Sequence, residues 1–431
     1  MSFVKIEHLT VKRILSNGQT VNAGQLASSS SGQIYFSYDK TYLNADYGAL
    51  SPLKVPAISE LIEGPYSPNE GLHGIFADSL PDGWGRLLMD RAFRHRGILP
   101  QNITMLSRLA FVGQTGSGAL IYEPAYELNQ AEEIEDFEII TKLAQEAELT
   151  IEGETDEVFL DLIQSGSSAG ARPKSNLFVS EDFSRCSIHP FEGCHAWMVK
   201  FTTQITQLGH DEGLCEAIFM EMAKNAGIKV AESRLFKGRV GPGRPKQPYY
   251  FGTERFDRTP KGRLHMASAA GLLDANFREP VLDTDLLIRL TSYLTHNCQD
   301  IEELIRRTLF NWLACNQDDH AKNWAYLQTD DGQWHLSPAY DLTFSLGFNQ
   351  EHSTSFAGCG KELTDDAIRS VLKTASMTRS DFNRIASEVI EAIHGKNGFM
   401  ALAEQYGIQP KNRSAIAETL KTIRDQHRHL W

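Results

Sequence analysis

Hydrophobic and polar positions follow two different periods in the first hundred residues. Residues 1–55 alternate apolar and polar side chains, as in QIYFSYD, and this two-residue period predicts short strands joined by turns. The stretch LPDGWGRLLMDRAFRHRG has the spacing of a helix, with Pro81 and Asp82 suited to its start and Gly97 to its end. The chain is therefore predicted to begin with a β-rich part that leads into a helix.

The pattern changes several times in the middle of the chain. An acidic helical stretch at 133–164 leads into the small-residue loop SGSSAGARPK, and the strand patterns SNLFVS and HAWMVKFT follow. The stretch LCEAIFMEMAKNAG predicts a helix that ends at Gly227. The segment KGRVGPGRPKQP is rich in Gly and Pro and predicts a solvated loop between two strands.

Helical periodicity dominates from about residue 283 onward. WAYLQT, a DDG turn and QWHLSPA interrupt it and predict a two-stranded hairpin, which separates the polar segments NQDDHAKN and AYDLTFS. Just before the first polar segment, a predicted helix ends near Asn316 and carries on one face Ile301, Leu304, Ile305, Leu309, Trp312 and Leu313.

Composition and charge limit the classes of protein that these elements form. The formal net charge of −13 disfavours direct DNA binding by the bulk surface, because nucleic acid attracts basic faces. Six cysteines without a CxxC pair argue against a disulfide framework and a structural zinc site. No stretch approaches the roughly 20 apolar residues of a membrane-spanning helix, and the N-terminal residues lack the apolar core of a signal peptide. We therefore expect a soluble, reduced, cytoplasmic protein with no membrane partner.

The two polar segments carry the groups that phosphoryl transfer requires. A kinase needs a carboxylate beside the attacking hydroxyl, and an Asn and a further Asp that hold Mg²⁺ against the nucleotide phosphates. Asp318 and Asn323 have the D-x4-N spacing of the kinase catalytic loop, and Asp341 follows beyond the hairpin. Considered singly, Asp318 also fits an acid in a loop after a helix, and Asn323 also fits a residue in a turn. The order of helix, loop, hairpin and Asp favours catalysis, and the segment TFSLGFNQEHSTSFAGCGKEL would then shape the substrate site.

A kinase also requires a phosphate-covering loop, a lysine and a glutamate upstream, in that order. Lys200 closes the apolar run AWMVK, as a lysine projecting from a strand would. Glu216 in the following helix is favoured over Glu212 and Glu221 as its partner. Small residues let backbone N–H groups approach phosphate closely. The loop 166–174 has this composition and begins with Gly166, Ser167, Ser168, Ala169 and Gly170.

The other predicted ATP-binding residues lie at the end of the phosphate loop, in the hinge and in the catalytic loop. The segment YYFGTERFDR is predicted to be the hinge whose backbone meets the adenine. His320 is also explained as a brace of its loop, and Lys322 as an exposed loop lysine. The predicted nucleotide-contacting residues thus also include Lys174, Glu254, Phe256, His320 and Lys322.

The chain resembles the HipA family over nearly its whole length. The resemblance is carried by GSSAGARPK, the Lys200 strand, ERFDR, DDHAKN and LSPAYDL, and by FSYDKTYL, ALSPLKVP and FADSLPDGWGR nearer the N-terminus. It implies an α+β, two-lobed protein-kinase-like fold with a β-rich N-terminal subdomain and a mostly helical C-terminal lobe. The predicted boundaries are 1–125 for that subdomain, 126–256 for the N-lobe part and 257–431 for the C-lobe.

The resemblance also implies a function. Such proteins are ATP- and Mg²⁺-dependent serine/threonine kinases, the toxins of type II toxin–antitoxin pairs, and phosphorylate a translation factor, typically an aminoacyl-tRNA synthetase. A helix-turn-helix antitoxin restrains them, so DNA would be reached only through that partner. The family also inactivates itself by autophosphorylation in the phosphate loop, at the position of Ser167, with Ser168 second. From the residues alone, a flexible loop that favours small polar side chains explains Ser167 equally well.

Departures from the family pattern leave some roles open. Asp319 stands where many relatives have Gly, so the acid that faces the substrate is uncertain. Gln317 precedes Asp318, so the Arg of the ordinary protein-kinase loop is missing, and the phosphate loop lacks a full G-x-G-x-x-G. A nucleotide-binding pseudokinase that docks a partner is one alternative function. A metal-dependent phosphohydrolase built on Asp318, Asp319 and His320 is another.

Overall fold

The computed structural model describes residues 5–126, 136–153, 159–166, 172–203, 207–239 and 248–428. The strands are β1 His8–Ile14, β2 Thr20–Ser28, β3 Ile34–Tyr38, β4 Ile62–Glu63, β5 Leu120–Glu123, β6 Lys174–Ser180, β7 Cys186–Ser187, β8 Cys194–Lys200, β9 Ser233–Lys237, β10 Tyr249–Glu254, β11 His265–Ser268, β12 Leu282–Asp283, β13 Ala325–Gln328, β14 Trp334–Leu336 and β15 Thr354–Ser355. The α-helices are α1 Lys40–Asn44, α2 Gly74–Ala77, α3 Gly83–His95, α4 Met105–Val112, α5 Glu138–Glu152, α6 Leu160–Gln164, α7 Glu212–Asn225, α8 Ala269–Leu273, α9 Thr284–Thr295, α10 Cys298–Leu313, α11 Asp365–Ala375, α12 Arg379–His394, α13 Phe399–Tyr406 and α14 Pro410–Gln426.

The chain forms two compact units that each take several stretches of sequence. The first unit contains Met1–Phe201, Phe236–Ala275 and Tyr326–Gln333. The second contains Thr202–Leu235, Asn276–Ala325 and Trp334–Trp431. The predicted three-part domain boundaries stay a prediction. None of the described helices is both long and apolar enough to cross a bilayer.

The N-terminal part of the first unit is an antiparallel sheet of order β4-β3-β2-β1-β5. The alternation that predicted strands has a direct cause, because every second side chain of β1 and β3 is buried. Gly24 permits the close approach of β2 and β3, since a Cβ there would lie 2.2 Å from the Ser37 carbonyl oxygen. The short helix α1, capped by Asp39, was not predicted, because five residues are too few to display a helical period.

The second sheet of the first unit contains the predicted lysine strand. Its order is β7-β6-β8-β10-β9. One apolar cluster joins β6 and β8 with α3 and α5, and includes Leu88, Leu143, Val179, Trp197 and Val199. The predicted start and end of α3 are confirmed: Asp82 is its N-cap, and Gly97 follows it with a φ of +77°. Part of KGRVGPGRPKQP, residues 240–247, lies outside the described residues.

The second unit is mostly helical, and α10 runs through its interior. The sequence predicted one apolar face, yet polar side chains of this helix are buried as well, including Glu303, Arg307 and Asn311. They are paired inside the unit: Arg307 Nε donates to Glu303 Oε1 over 2.8 Å. Because α10 is enclosed by other elements along most of its length, its C-terminal end is held firmly. The polar loop 316–323 begins at that end.

Candidate active site

The loop after α10 lies beside the segment that follows Asp341. Cys315 ends the helical path with a left-handed φ of 56°. Ser345 N–H then donates to the Cys315 carbonyl and Gln317 N–H to the Ser345 carbonyl, each over 2.9 Å. These bonds form a parallel bridge between Asn316 and Ser345. The bridge brings the two polar segments that the sequence singled out next to each other.

Asp318 presents its carboxylate to solvent from this loop, with 63% of the side chain exposed. Asn323, at the end of the 3-10 turn Ala321–Asn323, donates its side-chain NH₂ to the Asp318 carbonyl oxygen over 2.7 Å. Because that NH₂ is engaged, the amide oxygen of Asn323 is the atom suited to face a cation. His320 Nε2 lies 4.0 Å from a carboxylate oxygen of Asp318.

Asp341 has a left-handed backbone, with a φ of 56°, that non-glycine residues rarely adopt. Two contacts tie its surroundings to the polar loop. The hydroxyl of Tyr340 donates to the Lys322 carbonyl over 2.5 Å, and the side chain of Asn316 donates to the Asp341 carbonyl over 3.5 Å. Asp318, Asn323 and Asp341 are therefore brought together in the second unit, while their catalytic roles stay a prediction.

Asp319, whose role the sequence left open, is a buried structural acid with 1% of its surface exposed. Its carboxylate oxygens contact His352 Nδ1 and accept from the Thr354 N–H, each at 3.0 Å. Its carbonyl accepts from the Thr354 hydroxyl at 2.5 Å and from Trp324 Nε1 at 3.1 Å. Asp318 is thus the acid that faces solvent. A phosphohydrolase metal site built on Asp318, Asp319 and His320 is disfavoured, because Asp319 is occupied inside the fold.

Phe277 packs against His320 and Lys322 of the polar loop. No pattern in the sequence indicated this role for Phe277. The His320 ring meets the Phe277 ring edge-on at 5.5 Å, and Lys322 Nζ lies 4.4 Å from the same ring centroid. Arg278 approaches that ring as well, at 4.5 Å. Such cation–π contacts position a lysine without neutralising its charge. Contact of His320 and Lys322 with ATP stays a prediction.

Lys174 and Lys200 lie directly opposite each other on β6 and β8 of the first unit. Both side chains are buried, with 3% and 5% of their surface exposed. Residues opposite each other in an antiparallel pair point to the same face, where like charges repel. Lys174 and Lys200 are therefore neighbours on one face of this sheet, and contact of either lysine with a nucleotide phosphate stays a prediction. Lys200 Nζ lies 5.9 Å from the Phe251 ring on the neighbouring strand.

Of the predicted phosphate loop 166–174, the structure describes Gly166 and residues 172–174. Gly166 follows α6 with a φ of +69°, and a Cβ there would lie 3.0 Å from the Thr115 side chain, so glycine suits this position. Ser167, Ser168, Ala169 and Gly170 lie outside the described residues. Autophosphorylation at the two serines accordingly stays a prediction.

The predicted hinge ends β10 at Glu254, and Phe256 lies in the turn that follows. The ERFDR motif forms a buried charge cluster: Asp257 pairs with Arg255 at 2.8 Å and with Arg258 at 2.7 Å. Burial opposes ionisation, but the two guanidinium groups and the Gly118 N–H hold the Asp257 pKa well below its usual range. The motif thus anchors a neighbouring loop, a role that the sequence did not indicate. Adenine contact by Glu254 and Phe256 stays a prediction.

Glu216 lies on α7 of the second unit with 1% of its surface exposed. Its pairing with Lys200, which belongs to the first unit, stays a prediction.

In the part of the chain that the structure describes, no group of three His, Cys, Asp or Glu side chains forms a metal site. The carboxylate of Asp341 and the amide oxygen of Asn323 are nevertheless the hard oxygen donors that Mg²⁺ prefers. Magnesium commonly takes only one or two protein ligands beside substrate phosphates.

Comparison with known proteins identifies the class and then the family. A structure of HipA from Shewanella oneidensis MR-1, in complex with HipB and its operator DNA, superposes with a TM-score of 0.66 at 17% identity, covering 96% of this chain and 95% of that chain. The predicted α+β fold with a β-rich N-terminal part and a mostly helical C-terminal lobe is confirmed. The family models for the HipA N-terminal domain and the HipA-like C-terminal domain match residues 14–123 and 166–397. The chain belongs to the HipA family.

Two further similarities cover less of this chain. Y4dM of Sinorhizobium fredii (strain NBRC 101917 / NGR234), named as a candidate kinase, is 29% identical over 197 residues, which are 44% of this chain. The match spans about half of that relative, 47% of its length. The proinflammatory kinase CtkA of Helicobacter pylori has 12% identity and a TM-score of 0.34 over 55% of this chain and 86% of that chain. That score is too low to establish a shared fold.

Proposed function

We propose that this protein is an ATP- and Mg²⁺-dependent serine/threonine protein kinase and the toxin of a toxin–antitoxin pair. The observation that carries the proposal is the arrangement of Asp318, Asn323 and Asp341. An exposed carboxylate, an amide oxygen and a second carboxylate lie on two segments joined by hydrogen bonds. This is the set of groups, in chain order, that phosphoryl transfer to a hydroxyl requires.

Asp318 acts as the base in this mechanism. Its carboxylate accepts the proton of a serine or threonine hydroxyl as the hydroxyl oxygen bonds to the γ-phosphorus of ATP. The bond from that phosphorus to the bridging oxygen breaks, and ADP leaves with the electron pair. The buried contacts of Asp319 hold the loop, so Asp318 is positioned with little freedom of the backbone.

The residues around this base bind the nucleotide and the metal. Asn323 and Asp341 would hold Mg²⁺, which would supply charge neutralisation for the phosphates. Lys200, supported by Glu216, contacts the α- and β-phosphates. Lys174 and the loop 166–174 cover the phosphates, with Ser167 or Ser168 as the site of autophosphorylation. A phosphate on either serine adds negative charge where the nucleotide phosphates bind, so it inactivates the enzyme. Glu254 and Phe256 lie at the adenine, and His320 and Lys322 near the γ-phosphate.

The partners follow from the family. The related HipA was solved with HipB and operator DNA. We infer a helix-turn-helix antitoxin for this chain as well, with DNA bound through that partner, because the net charge of −13 disfavours direct contact. The protein substrate belongs to the translation machinery, with an aminoacyl-tRNA synthetase as the first candidate. We place the protein in the cytoplasm.

Transfer of the γ-phosphate of labelled ATP to protein tests the proposal. Asp318→Asn keeps the shape of the side chain but removes the base, so labelling is expected to fall by about 10²–10⁴-fold. Asp366→Asn, at a mostly exposed acid in the first turn of α11, is the matched control and should label like wild type. Equal labelling of wild type and Asp318→Asn would contradict kinase activity and favour a nucleotide-binding pseudokinase. Phosphate release without labelling would indicate a hydrolase.

A further inference from the structure

A turn formed by residues 276–279 of the second unit contacts the polar loop and has no part in the mechanism above. Asn276 closes this turn with its side chain. Its NH₂ group donates to Glu279 Oε1 over 2.7 Å, and its amide oxygen accepts from the Arg278 N–H over 3.2 Å. The Glu279 N–H also donates to the Asn276 carbonyl, over 3.1 Å. The backbone that carries Phe277 and Arg278 is therefore fixed locally.

The ring of Phe277 has two cationic side chains against it. Lys322 Nζ lies 4.4 Å from the ring centroid, and the guanidinium carbon of Arg278 lies 4.5 Å from the same point. The negative face of an aromatic ring attracts such charges and favours these positions. The ring also meets the His320 ring edge-on, at 5.5 Å. One aromatic side chain thus gathers an arginine, a lysine and a histidine next to the proposed base.

Arg278 carries a charge that the described residues do not balance. Its guanidinium forms no ion pair and no hydrogen bond with any of them, and its contact is the Phe277 ring. The adjacent acid, Glu279, accepts a hydrogen bond from Asn276 instead. The chain has a net charge of −13, so acids are plentiful, yet none of the described ones pairs with this arginine. The guanidinium is therefore available to an anionic ligand.

His320 provides a second, independent observation. Its Nδ1 atom is buried and has no hydrogen-bond partner among the described residues. Its Nε2 atom lies 4.0 Å from a carboxylate oxygen of Asp318. A buried polar atom without a partner costs free energy, and such atoms are common where a polar ligand binds. The histidine that meets the Phe277 ring therefore also has an unmet hydrogen-bonding group.

We propose that Arg278 is a further catalytic residue that binds the γ-phosphate of ATP, and that Phe277 positions it together with Lys322. This inference rests on the proposed kinase function. The transferred phosphoryl group carries negative charge on its outer oxygens, which a planar guanidinium group can bind through parallel N–H donors. As the hydroxyl oxygen bonds to phosphorus and the bond to the bridging oxygen breaks, Arg278 stabilises this charge and keeps its own protons.

Binding of ADP and of AMP-PNP, a non-hydrolysable ATP analogue, tests the inference by isothermal titration calorimetry with Mg²⁺ present. Arg278→Gln should bind AMP-PNP about tenfold more weakly than wild type, because a charge-assisted contact with the γ-phosphate is lost. The affinity for ADP, which lacks that phosphate, should be unchanged. An equal loss for both nucleotides would assign Arg278 a structural role, and unchanged binding of AMP-PNP would likewise overturn the proposal.

The matched control is Arg289→Gln, which removes the same charge from an exposed position on α9. It should bind both nucleotides like wild type. A loss of AMP-PNP affinity equal to that of Arg278→Gln would assign the effect to the overall charge of the chain, which would overturn the proposal.

The positioning role of Phe277 is tested by one variant without an aromatic ring and one that keeps a ring. Phe277→Leu should weaken AMP-PNP binding by about two- to fivefold and spare ADP binding, as expected for the loss of a cation–π contact near the surface. Phe277→Trp keeps an aromatic face for the two cations and should bind both nucleotides like wild type. Equal losses in the two variants, or no loss in Phe277→Leu, would exclude this role.

The titrations involve no phosphoryl transfer, so they report on Arg278 independently of kinase activity. Labelling by ATP tests the proposed function separately. Failure of labelling alone would contradict the kinase activity and not the γ-phosphate contact. Wild-type protein that binds neither nucleotide would overturn both.

Discussion

Asp318 and Asp319 are adjacent in the polar loop but have different roles, because their side chains have different surroundings. Asp318 has 63% of its side chain exposed, whereas Asp319 is buried against His352 and Thr354. A buried carboxylate is favourable only when its hydrogen bonds are satisfied, and those of Asp319 come from the segment that follows Asp341. Asp319 therefore fixes that segment to the loop, and Asp318 remains the exposed acid.

Substituting each acid by asparagine should separate stability from activity. Asp319→Asn places an NH₂ donor against the His352 and Thr354 donors, so the free energy of unfolding should fall by about 1–3 kcal/mol. Asp318→Asn, at an exposed position, should change it by less than about 0.5 kcal/mol. Urea unfolding of both variants measures these changes. A larger loss of stability for Asp318→Asn than for Asp319→Asn would contradict the assignment of the two acids.

At the scale of elements, β13 and the turn after it connect the catalytic loop to Asp341 and are anchored by Arg13 from β1. Arg13 is fully buried. Its guanidinium donates to Tyr42 Oη and Gln328 Oε1, each over 3.0 Å, and to the Thr329 carbonyl over 2.9 Å. The turn after β13 is thus held by the N-terminal sheet.

Arg13→Met should destabilise the first unit. Removing one partner from a buried charged network costs about 3–5 kcal/mol. Arg108→Met is the matched control, because Arg108 is also buried and pairs with Asp90 at 2.6 Å but does not contact the turn after β13. Both variants should lower the thermal midpoint. Only Arg13→Met should speed amide hydrogen exchange in the turn after β13, and an equal increase in both variants would refute this role.

At the scale of the whole molecule, the two units need not unfold together, so stability is best followed by probes within each unit. The first unit contains a buried histidine whose titration couples its stability to pH. Burial, reinforced by the charge of Arg13, lowers the pKa of His265 to about 3. His265 Nε2 donates to the Leu50 carbonyl over 2.9 Å and remains neutral in the folded unit.

Acidification should therefore destabilise the first unit through His265. The unfolded chain takes up a proton near a pKa of about 6.5, whereas the folded unit does not until about pH 3, so stability falls as the pH drops below about 6.5. At about pH 5 the loss amounts to about 2 kcal/mol. His265→Gln keeps a donor for Leu50 and should flatten this part of the pH profile in urea unfolding. The exposed His335→Gln should leave the profile unchanged, and equal slopes in wild type and His265→Gln would contradict the argument.

Local patterns predicted the features that depend on nearby residues. The D-x4-N spacing, the helix α10 and the strand that ends at Lys200 are set by neighbours in sequence, so periodicity and motif order were sufficient. The exposure of Asp318 rather than Asp319 depends on a bridge to Ser345, and the burial of Arg13 depends on a turn more than 300 residues away. The packing of Phe277 under Lys322 is of the same kind. Such contacts leave no periodic signal in the sequence.

The parallel bridge between Asn316 and Ser345 also restricts how the length of this region can vary among descendants of the gene. Each residue after the bridge points in a direction set by the register. Deleting or inserting one residue between Asn316 and Asp319 would shift both acids from their present positions, so the exposed carboxylate and the buried anchor would be lost together. Insertions and deletions should therefore be selected against at this position. The Ser-rich turn between β2 and β3 should tolerate them, because its residues are mostly exposed.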